Sequence, residues 1–380
     1  MRRRYLRSLN LRRSFIGSMA CGRKSPHRRR FRKRSKAILL RLGDFLALPP
    51  VKPILLLAVS LCLLLVLTPY LLTRVLPGID DAKDKASPDA SFELVVVPDD
   101  IQVYRTETKK TETIDFEDYV KGVVSGEMPS SFHPEALKAQ AVAARTYSLA
   151  RVLKAEDGGN PEAHPDAPLC DSTHCQVYRS ERELEALKGD SWMKDGWEKI
   201  CQAVDDTEGE LLYYDGQLVA QALFHSSSGG KTENSEDVFA SAVPYLVSVE
   251  SPYEEEATHK NEKNTFSISD FSKAIKAKYA NISFGEINAS NIKIISRSSG
   301  GRVEKMQIGG GIIEGRNVRE ALELPSANFD ISISGDTITF TSSGSGHGVG
   351  MSQYGANGMA KKGYDYKKIL SHYYSGTEVY

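Results

Sequence analysis

Residues 126–151 read GEMPSSFHPEALKAQAVAARTYSLAR, a turn followed by a strongly helical segment. Pro134 suits the first turn of a helix, because its missing N–H would have no partner there. The sequence after Pro134 is rich in alanine, and small side chains allow two elements to pack closely. This stretch therefore predicts a helix that begins near Pro134 and lies against a neighbouring element.

A second helix is predicted just before this turn. Asp115 can cap its N-terminus, and Asp118 occupies the capping-box position. Its apolar face is formed by Tyr119, Val120, Val123 and Val124. The helix is predicted to end at Ser125-Gly126, which leaves Glu127 between two helices.

The remaining elements predict an α+β fold. Phe92–Val97 and Ile101–Tyr104 are predicted to form a strand pair, and Asp215-Gly216 is a strong signal for a hairpin. Further strands are predicted at Ile292–Ser296, Val303–Ile308, Phe329–Ser334 and Thr337–Thr341, and further helices near Trp197–Val204, Ser269–Tyr279, Met351–Lys361 and Tyr366–Tyr373. Because strands and helices do not alternate regularly, a parallel α/β fold is disfavoured.

The N-terminal part of the chain predicts a membrane anchor. Residues 1–52 hold 17 of the 49 Lys and Arg and one of the 49 Asp and Glu, a net charge of +16, and the remainder carries −16. Residues 54–72 read ILLLAVSLCLLLVLTPYLL, an uncharged run long enough to cross a hydrocarbon core of roughly 30 Å. Positive flanks stay in the cytoplasm, so the N-terminus is predicted to lie inside and the C-terminal domain outside the cell membrane.

These features divide the chain into four parts. We predict a basic cytoplasmic tail at 1–52, a transmembrane helix at 53–73, a polar linker at 77–91 and one mixed α+β domain at 92–380. A cleaved signal peptide is disfavoured by the long basic region and the long apolar run. The basic tail is interpreted as a topology determinant that also contacts anionic lipids, in preference to a nucleic-acid-binding segment.

Glu127 is the sharpest candidate for chemistry. A carboxyl group beside apolar neighbours has a raised pKa and can remain protonated as a general acid, which cleavage of a glycosidic bond requires. The alternative is an exposed carboxylate at a helix end. Gln140 and Arg145 lie on the next helix about 140° apart, so only one of them is expected to face Glu127.

Two later segments are candidates for ligand binding. Residues 224–254 are dense in hydroxyl groups, including Ser226, Ser227 and Ser228, which suit a neutral sugar, and Tyr245 could stack on a sugar face; a Ser/Gly loop is the alternative. Residues 344–350 alternate glycine with other residues before a helix, where backbone N–H groups could bind a muramic acid carboxylate. His347 lies between these glycines as a candidate for ligand binding or proton handling.

A compact His/Cys set suggests a metal site. His164, Cys170, His174 and Cys175 supply two imidazoles and two thiolates, the ligands of a closed, structural zinc site. A Cys170–Cys175 disulfide and uninvolved free thiols remain alternatives.

Three long motifs in one order resemble the stage II sporulation protein D family, which includes amidase-enhancer relatives. They are YVKGVVSGEMPSSFHPEALKAQAVAARTYSLAR at 119–151, SSSGGKTENSEDVFASAVPYLVSV at 226–249 and GHGVGMSQYGANGMAKKGYDYKKILSHYYSGT at 346–377. The resemblance covers essentially 92–380 and matches the predicted anchor and topology.

The resemblance implies a lytic transglycosylase. Such an enzyme cleaves peptidoglycan glycan strands between N-acetylmuramic acid and N-acetylglucosamine and leaves a 1,6-anhydro end. The family's acidic residue maps to Glu127, while Lys138, Arg145 and Tyr245 lie at motif positions expected to shape the site. A non-catalytic peptidoglycan-binding enhancer of a cell-wall amidase is the alternative function.

The resemblance also implies cofactors and partners. Zinc at a His/Cys cluster occurs in similar proteins, which strengthens the prediction for the four candidate ligands. Stage II sporulation proteins P and M, the membrane and glycan strands are the expected partners, with no nucleic acid. The expected location is the mother cell membrane facing the forespore, where septal wall is thinned during engulfment.

Overall fold

The structure, a computed structural model, describes residues 94–380. The predicted tail, membrane span and linker lie outside the described residues. Within 94–380, none of the helices combines the length and the apolar character needed to cross a bilayer.

The described residues form a mixed α+β domain, as predicted. Its helices are α1 (Phe116–Glu127), α2 (Pro134–Gly158), α3 (Glu181–Lys188), α4 (Asp190–Trp192), α5 (Glu198–Asp205), α6 (Ser235–Val238), α7 (Ile268–Lys278), α8 (Gly315–Leu322), α9 (Gln353–Lys361) and α10 (Tyr366–Tyr373). Its strands are β1 (Asp100–Arg105), β2 (Lys110–Asp115), β3 (Leu169–Cys170), β4 (Leu212–Tyr214), β5 (Gln217–Leu218), β6 (Phe224–His225), β7 (Glu262–Ser267), β8 (Ile292–Arg297), β9 (Val303–Ile308), β10 (Gly311–Glu314), β11 (Phe329–Ser334), β12 (Thr337–Ser342), β13 (Met351–Ser352) and β14 (Thr377–Val379).

Helix α2 is the centre of the larger hydrophobic core. It begins at Pro134 as predicted, with the His133 side chain accepting the N–H of Glu135. Residues 136–149 are nearly all buried, so this helix is enclosed on every side. Helices α1, α5, α9 and α10 pack around it, which confirms the close packing that its alanines predicted.

Helix α1 ends beside α2 and carries Glu127 as its last residue. The Asp115 side chain caps it by accepting the N–H of Asp118, as predicted. The helix continues through Gly126 to Glu127 instead of ending at Ser125-Gly126. Pro129 follows, and the segment up to Phe132 forms a turn in which the Phe132 N–H donates to the Pro129 carbonyl.

The predicted pairing of Phe92–Val97 with Ile101–Tyr104 is wrong. The described part of the first segment, residues 94–97, is not a strand, and β1 instead pairs antiparallel with β2. On its other edge β1 pairs parallel with β3 through Val103–Leu169 and Tyr104–Cys170, which fixes the segment that carries Cys170. The Asp215-Gly216 hairpin is confirmed: both residues have positive φ, and they join β4 to β5.

A second core lies in residues 262–342. Strands β7, β11 and β12 form one sheet and β8, β9 and β10 another, with α7 and α8 packed against them. Its buried apolar residues include Phe271, Met306 and Phe340. This segment is inserted between β6 and β13, which pair parallel with each other through Phe224–Met351 and His225–Ser352. The pairing brings the serine-rich and glycine-rich segments side by side.

Candidate active site and metal centre

Glu127 is held at the end of α1 by the segment that follows the His/Cys cluster. The backbone N–H of Val177 donates a hydrogen bond of 2.7 Å to Oε1 of Glu127. Gly126 makes this approach possible, because a Cβ at that position would lie 2.3 Å from the Val177 carbonyl oxygen. The carboxyl group is therefore fixed against the backbone and does not extend freely into solvent.

The Glu127 side chain faces a pocket of about 330 Å³. The pocket is lined by Glu127, Pro129, Phe132, Phe224, His225, Ser226, Thr258, Gln353 and Tyr354. Phe132 and Tyr354 pack edge to face with ring centroids 5.0 Å apart. In the described part of the chain, Glu127 is the only acidic residue among those that line this pocket.

Burial raises the pKa of Glu127 above that of an ordinary glutamate, and the hydrogen bond from Val177 acts in the opposite direction. The protonated form is consequently favoured to a higher pH than in an exposed side chain. A carboxyl group in this state can donate a proton to a neighbouring oxygen.

Of the three candidate serines, only Ser226 lines the pocket. Ser227 and Ser228 are fully buried. Ser228 donates to Oε1 of Glu254 through its backbone N–H and its hydroxyl, at 2.9 and 2.8 Å. The same carboxylate also accepts from the hydroxyl of Ser352. Ser228 thus serves the buried Glu254 carboxylate, which ties it to Ser352, two residues after the glycine-rich segment.

Gln140 and Arg145 lie in different surroundings, as their angular separation requires. Gln140 is buried and accepts a 3.2 Å hydrogen bond from Gln353, which lines the Glu127 pocket. Arg145 is fully buried and donates to both carboxylate oxygens of Glu117, at 2.7 and 2.6 Å. The structure thus places Gln140 behind the pocket wall and Arg145 in the core.

Lys138 and Tyr245 also have protein partners. Lys138 forms ion pairs with Asp206 at 2.9 Å and with Glu135 at 3.5 Å. Tyr245 is buried, its hydroxyl accepts the N–H of Gln221, and its ring packs on Tyr214. No face of Tyr245 is presented to the Glu127 pocket, so the structure gives it a packing role.

His347 lines a different pocket, of about 370 Å³, with Arg302 and Arg319. Burial and these two guanidinium groups lower the pKa of His347 to about 4, so its imidazole is neutral near pH 7. Its ring lies 5.6 Å from that of His225, which lines the Glu127 pocket. Seen from the Glu127 pocket, His347 therefore lies behind His225 and does not line that pocket.

The alternating glycines beside His347 serve the backbone. Gly344, Gly346, Gly348 and Gly350 all have positive φ. A Cβ on Gly350 would lie 2.0 Å from the Leu223 carbonyl oxygen, and one on Gly348 would lie 2.2 Å from the Arg302 guanidinium carbon. The N–H groups of Gly344 and Gly346 donate to the carbonyls of His259 and Pro325. These two N–H groups are therefore used within the protein instead of facing a ligand.

The sequence interpretation missed His225. Its Nδ1 contacts the Val349 carbonyl at 3.2 Å and so carries the proton, while its buried Nε2 has no hydrogen-bond partner in 94–380. Burial keeps its pKa well below the ordinary value. A neutral imidazole with one unused acceptor is thus built into the pocket wall, and its position beside the Ser226 motif was the available signal.

The four predicted metal ligands converge on one point. His164 Nε2, Cys170 Sγ, His174 Nδ1 and Cys175 Sγ all lie within 4.8 Å of one another. The two nitrogens are 3.2 Å apart, and three nitrogen–sulfur distances are 3.4, 3.6 and 4.0 Å. Tetrahedral zinc with ordinary bond lengths has nitrogen–nitrogen and nitrogen–sulfur edges of roughly 3.3 and 3.6 Å. The spacing therefore fits a closed tetrahedral site.

The surroundings of the cluster fit the same chemistry. His164 Nδ1 lies 2.7 Å from the Ala167 carbonyl, so that nitrogen carries the proton and Nε2 directs its lone pair at the cluster. A hydrogen bond between the thiols lowers the pKa of Cys170 and raises that of Cys175. One thiolate and the two converging nitrogens thus leave an electron-rich centre that a cation would stabilise.

Comparison with known proteins places these features in a protein family. A family model described as Stage II sporulation protein matches residues 104–214, which include Glu127 and the His/Cys cluster. Stage II sporulation protein D of Bacillus subtilis (strain 168) is 41% identical over 283 residues, 74% of this chain and 79% of that protein. The same protein of Bacillus amyloliquefaciens is 38% identical over 341 residues, 86% of this chain and 96% of that protein.

A relative with a different name is also similar. The amidase enhancer of Bacillus subtilis (strain 168) is 30% identical over 313 residues, which are 68% of this chain and 40% of that protein.

Proposed function

This chain belongs to the stage II sporulation protein D family, and from that premise we propose that it is a lytic transglycosylase of peptidoglycan. The substrate is the glycan strand, cut between N-acetylmuramic acid and N-acetylglucosamine, and the product carries a 1,6-anhydro end. The cellular role is thinning of the septal wall during engulfment in sporulation.

One observation carries the proposal: among residues 94–380, only one carboxyl group lines the pocket, that of the half-buried Glu127. Ordinary glycosidases need two carboxyl groups, one as acid and one to activate water or attack the sugar. A lytic transglycosylase needs only one, because the attacking hydroxyl belongs to the substrate. Glu127 alone therefore fits the lytic reaction better than hydrolysis.

The proton follows a short cycle at Glu127. The protonated carboxyl group donates to the glycosidic oxygen as the bond to the muramic C1 breaks, and the N-acetylglucosamine hydroxyl leaves. The Glu127 carboxylate then takes the proton of the muramic 6-hydroxyl as that oxygen closes on C1. The raised pKa of Glu127 supports the first step, and its return to the acid completes the cycle.

The pocket wall supplies the groups that would hold the sugar. Ser226, Thr258 and Gln353 provide hydrogen-bonding groups, and Phe132 and Phe224 provide apolar surface.

We assign a structural zinc ion to His164, Cys170, His174 and Cys175. Four protein ligands leave no open position for substrate, so the metal would stabilise the fold and take no part in the proton transfers. The cluster would help to position Glu127, because Val177 follows Cys175 by two residues and its backbone N–H donates a hydrogen bond to the Glu127 carboxyl group.

The cellular setting of the proposal depends on residues outside the described part of the chain. The basic tail at 1–52 would remain in the cytoplasm, the helix at 53–73 would anchor the protein, and the domain would face the septal wall from the mother cell membrane. Stage II sporulation proteins P and M are the proposed partners, and no nucleic acid is involved.

The decisive variant is Glu127→Gln in the full-length protein in detergent micelles. The amide oxygen can still accept from Val177, so the fold should persist while proton donation is lost. We expect 1,6-anhydro-muramic oligosaccharides from stem-free glycan strands with wild-type protein and none above background with the variant, measured by mass spectrometry. Glu208→Gln, at an exposed position, is the matched control and should keep activity. Wild-type rates in folded Glu127→Gln would overturn the assignment.

The similarity to an amidase enhancer favours a second candidate, a glycan-binding protein that stimulates an amidase without cutting. Persistent glycan binding by wild-type protein with no anhydro product would establish this second function. Anhydro product that depends on Glu127 would exclude it as the sole activity.

A further inference from the structure

The turn after Glu127 separates two pockets. In this turn the Phe132 N–H donates to the Pro129 carbonyl at 3.0 Å. Its first and last residues, Pro129 and Phe132, line the Glu127 pocket. Its central residues, Ser130 and Ser131, line a second depression of about 510 Å³. Because the ends of such a turn lie within about 7 Å of each other, the two pockets are immediate neighbours.

A half-buried indole forms the far side of the second depression. Trp192 lines it together with the side chains of Lys188, Ser191 and Asp195. The depression is open to solvent, unlike an enclosed small-molecule cavity. An aromatic face among hydroxyl and charged groups offers apolar surface to the C–H face of a sugar ring and hydrogen-bonding partners to its hydroxyls.

The indole is fixed in place. Its Nε1 donates a 3.0 Å hydrogen bond to Oγ of Ser130. Gly196 packs directly on it, since a Cβ there would lie 2.5 Å from Trp192 Nε1 and 2.7 Å from Ser130 Oγ. Gly196 lies in the π-helical turn Met193–Trp197, which continues from the helix that carries Trp192. Such turns are frequent at functional sites.

The turn is also hydrogen-bonded to Lys199, another residue that lines the second depression. Lys199 donates to the Phe132 carbonyl at 2.5 Å. Helix α5, which carries Lys199 and follows the π-helical turn, therefore holds Phe132, a residue that lines the Glu127 pocket. The distance between the indole and the Glu127 pocket is thereby fixed by hydrogen bonds to the Ser130 hydroxyl and to the Phe132 carbonyl. A preorganised surface of this kind binds without the cost of ordering a loop.

We propose that Trp192, with Ser130 and Ser131, forms an outer sugar-binding subsite that extends the Glu127 pocket along the glycan strand. The inference rests on the proposed function, because a glycan strand is the ligand long enough to occupy both pockets. The subsite binds a sugar next to those in the Glu127 pocket and positions the strand without taking part in the proton transfers.

Tryptophan fluorescence can report on this subsite, because the chain contains only two tryptophans. In a Trp197→Phe variant, Trp192 is the sole tryptophan, and Trp197 does not line this depression. We expect the hexamer of N-acetylglucosamine to change the emission of Trp192 in full-length Trp197→Phe protein, and the dimer to do so much less. Unchanged emission at hexamer concentrations that saturate binding by calorimetry would overturn the inference.

A second measurement compares binding affinities in the inactive Glu127→Gln background. Trp192→Ala should weaken hexamer binding roughly fivefold to tenfold and leave dimer binding unchanged, with Trp192→Phe in between. Equal hexamer affinities for folded Trp192→Ala, Trp192→Phe and the parent would contradict the subsite. Both measurements are independent of cleavage, so they distinguish failure of the subsite from failure of the transglycosylase assignment.

Discussion

The backbone N–H of Val177 donates a 2.7 Å hydrogen bond to Oε1 of Glu127, and Val177 follows Cys175 of the His/Cys cluster by two residues. The carboxyl group at the end of α1 and the cluster are therefore parts of one local structure. Ser148 of α2 adds a further tie by donating to the buried Gln176 side chain at 3.1 Å. Anything that displaces this segment is expected to displace Glu127.

Gly126→Ala should destabilise the protein and lower its activity together. The added Cβ would lie 2.3 Å from the Val177 carbonyl oxygen, so backbone must move. Overpacking of this kind costs about 1–3 kcal/mol of unfolding free energy. Urea unfolding measures that loss, and the rate of anhydro-product formation reports the displaced carboxyl group.

Gly158→Ala is the matched control, because its Cβ meets nothing within 4 Å at the far end of α2. This substitution should leave activity unchanged and stability equal or slightly higher, since alanine loses less backbone entropy in a helix. If Gly126→Ala behaves like Gly158→Ala in both measurements, the packing of Val177 against α1 does not position Glu127.

Metal analysis of purified full-length protein should give about one zinc per chain. Cys170→Ser should lose the metal and lower Tm, because a closed site contributes its binding free energy to folding. Cys201→Ser, in α5 away from the cluster, should retain the metal. A Cys170–Cys175 disulfide found by mass spectrometry of non-reduced peptides would rule out the zinc assignment.

Local signals in the sequence were sufficient for the helices that carry the site. Asp115 and Pro134 mark the starts of α1 and α2 through contacts with residues at most three positions away. Strand β2, by contrast, has no apolar alternation: its sequence is KTETID and five of its six side chains are exposed. Only its pairing with β1 makes it a strand, so composition could not indicate it.

The composition of the segments indicated which polar groups the candidate site could contain. The sequence did not indicate which neighbours each side chain contacts. The hydroxyls of the serine-rich segment were visible, yet Ser228 is directed to Glu254, 26 positions later. His225 enters the pocket through the pairing of β6 with β13, across more than 120 residues. Such contacts follow from the closed fold and leave no periodic trace in a single sequence.

The raised pKa of Glu127 predicts a specific dependence of stability on pH. Below the ordinary glutamate pKa of about 4.3, the folded and unfolded states both hold the proton and ionisation has no effect. As the pH rises through the raised pKa, the unfolded state ionises first and gains stability relative to the folded state. The free energy of unfolding contributed by the protonated carboxyl group is therefore lost in this window.

The Glu127→Gln variant isolates this effect because glutamine does not titrate. The unfolding free energy of wild type minus that of the variant should fall as the pH increases and become constant above the raised pKa, as measured by urea unfolding across that range. The wild-type kcat/KM should decline toward alkaline pH, since the acid form starts the reaction. A stability difference that is flat, or that increases with pH, would contradict a raised pKa.

Arg145→Met tests whether Arg145 stabilises the core or contacts the glycan. The side chain is fully buried and its guanidinium group donates to both carboxylate oxygens of Glu117 and to the Glu210 carbonyl. Its loss removes the cationic partner of Glu117 and should cost about 2–4 kcal/mol of unfolding free energy. Arg151→Met, on the solvent-accessible end of the same helix, removes a contact with Tyr147 and should cost under about 1 kcal/mol.

Hexamer affinity of the folded Arg145→Met protein should match wild type, because Arg145 does not line the Glu127 pocket. Weakened affinity at unchanged stability would instead place Arg145 in contact with the glycan.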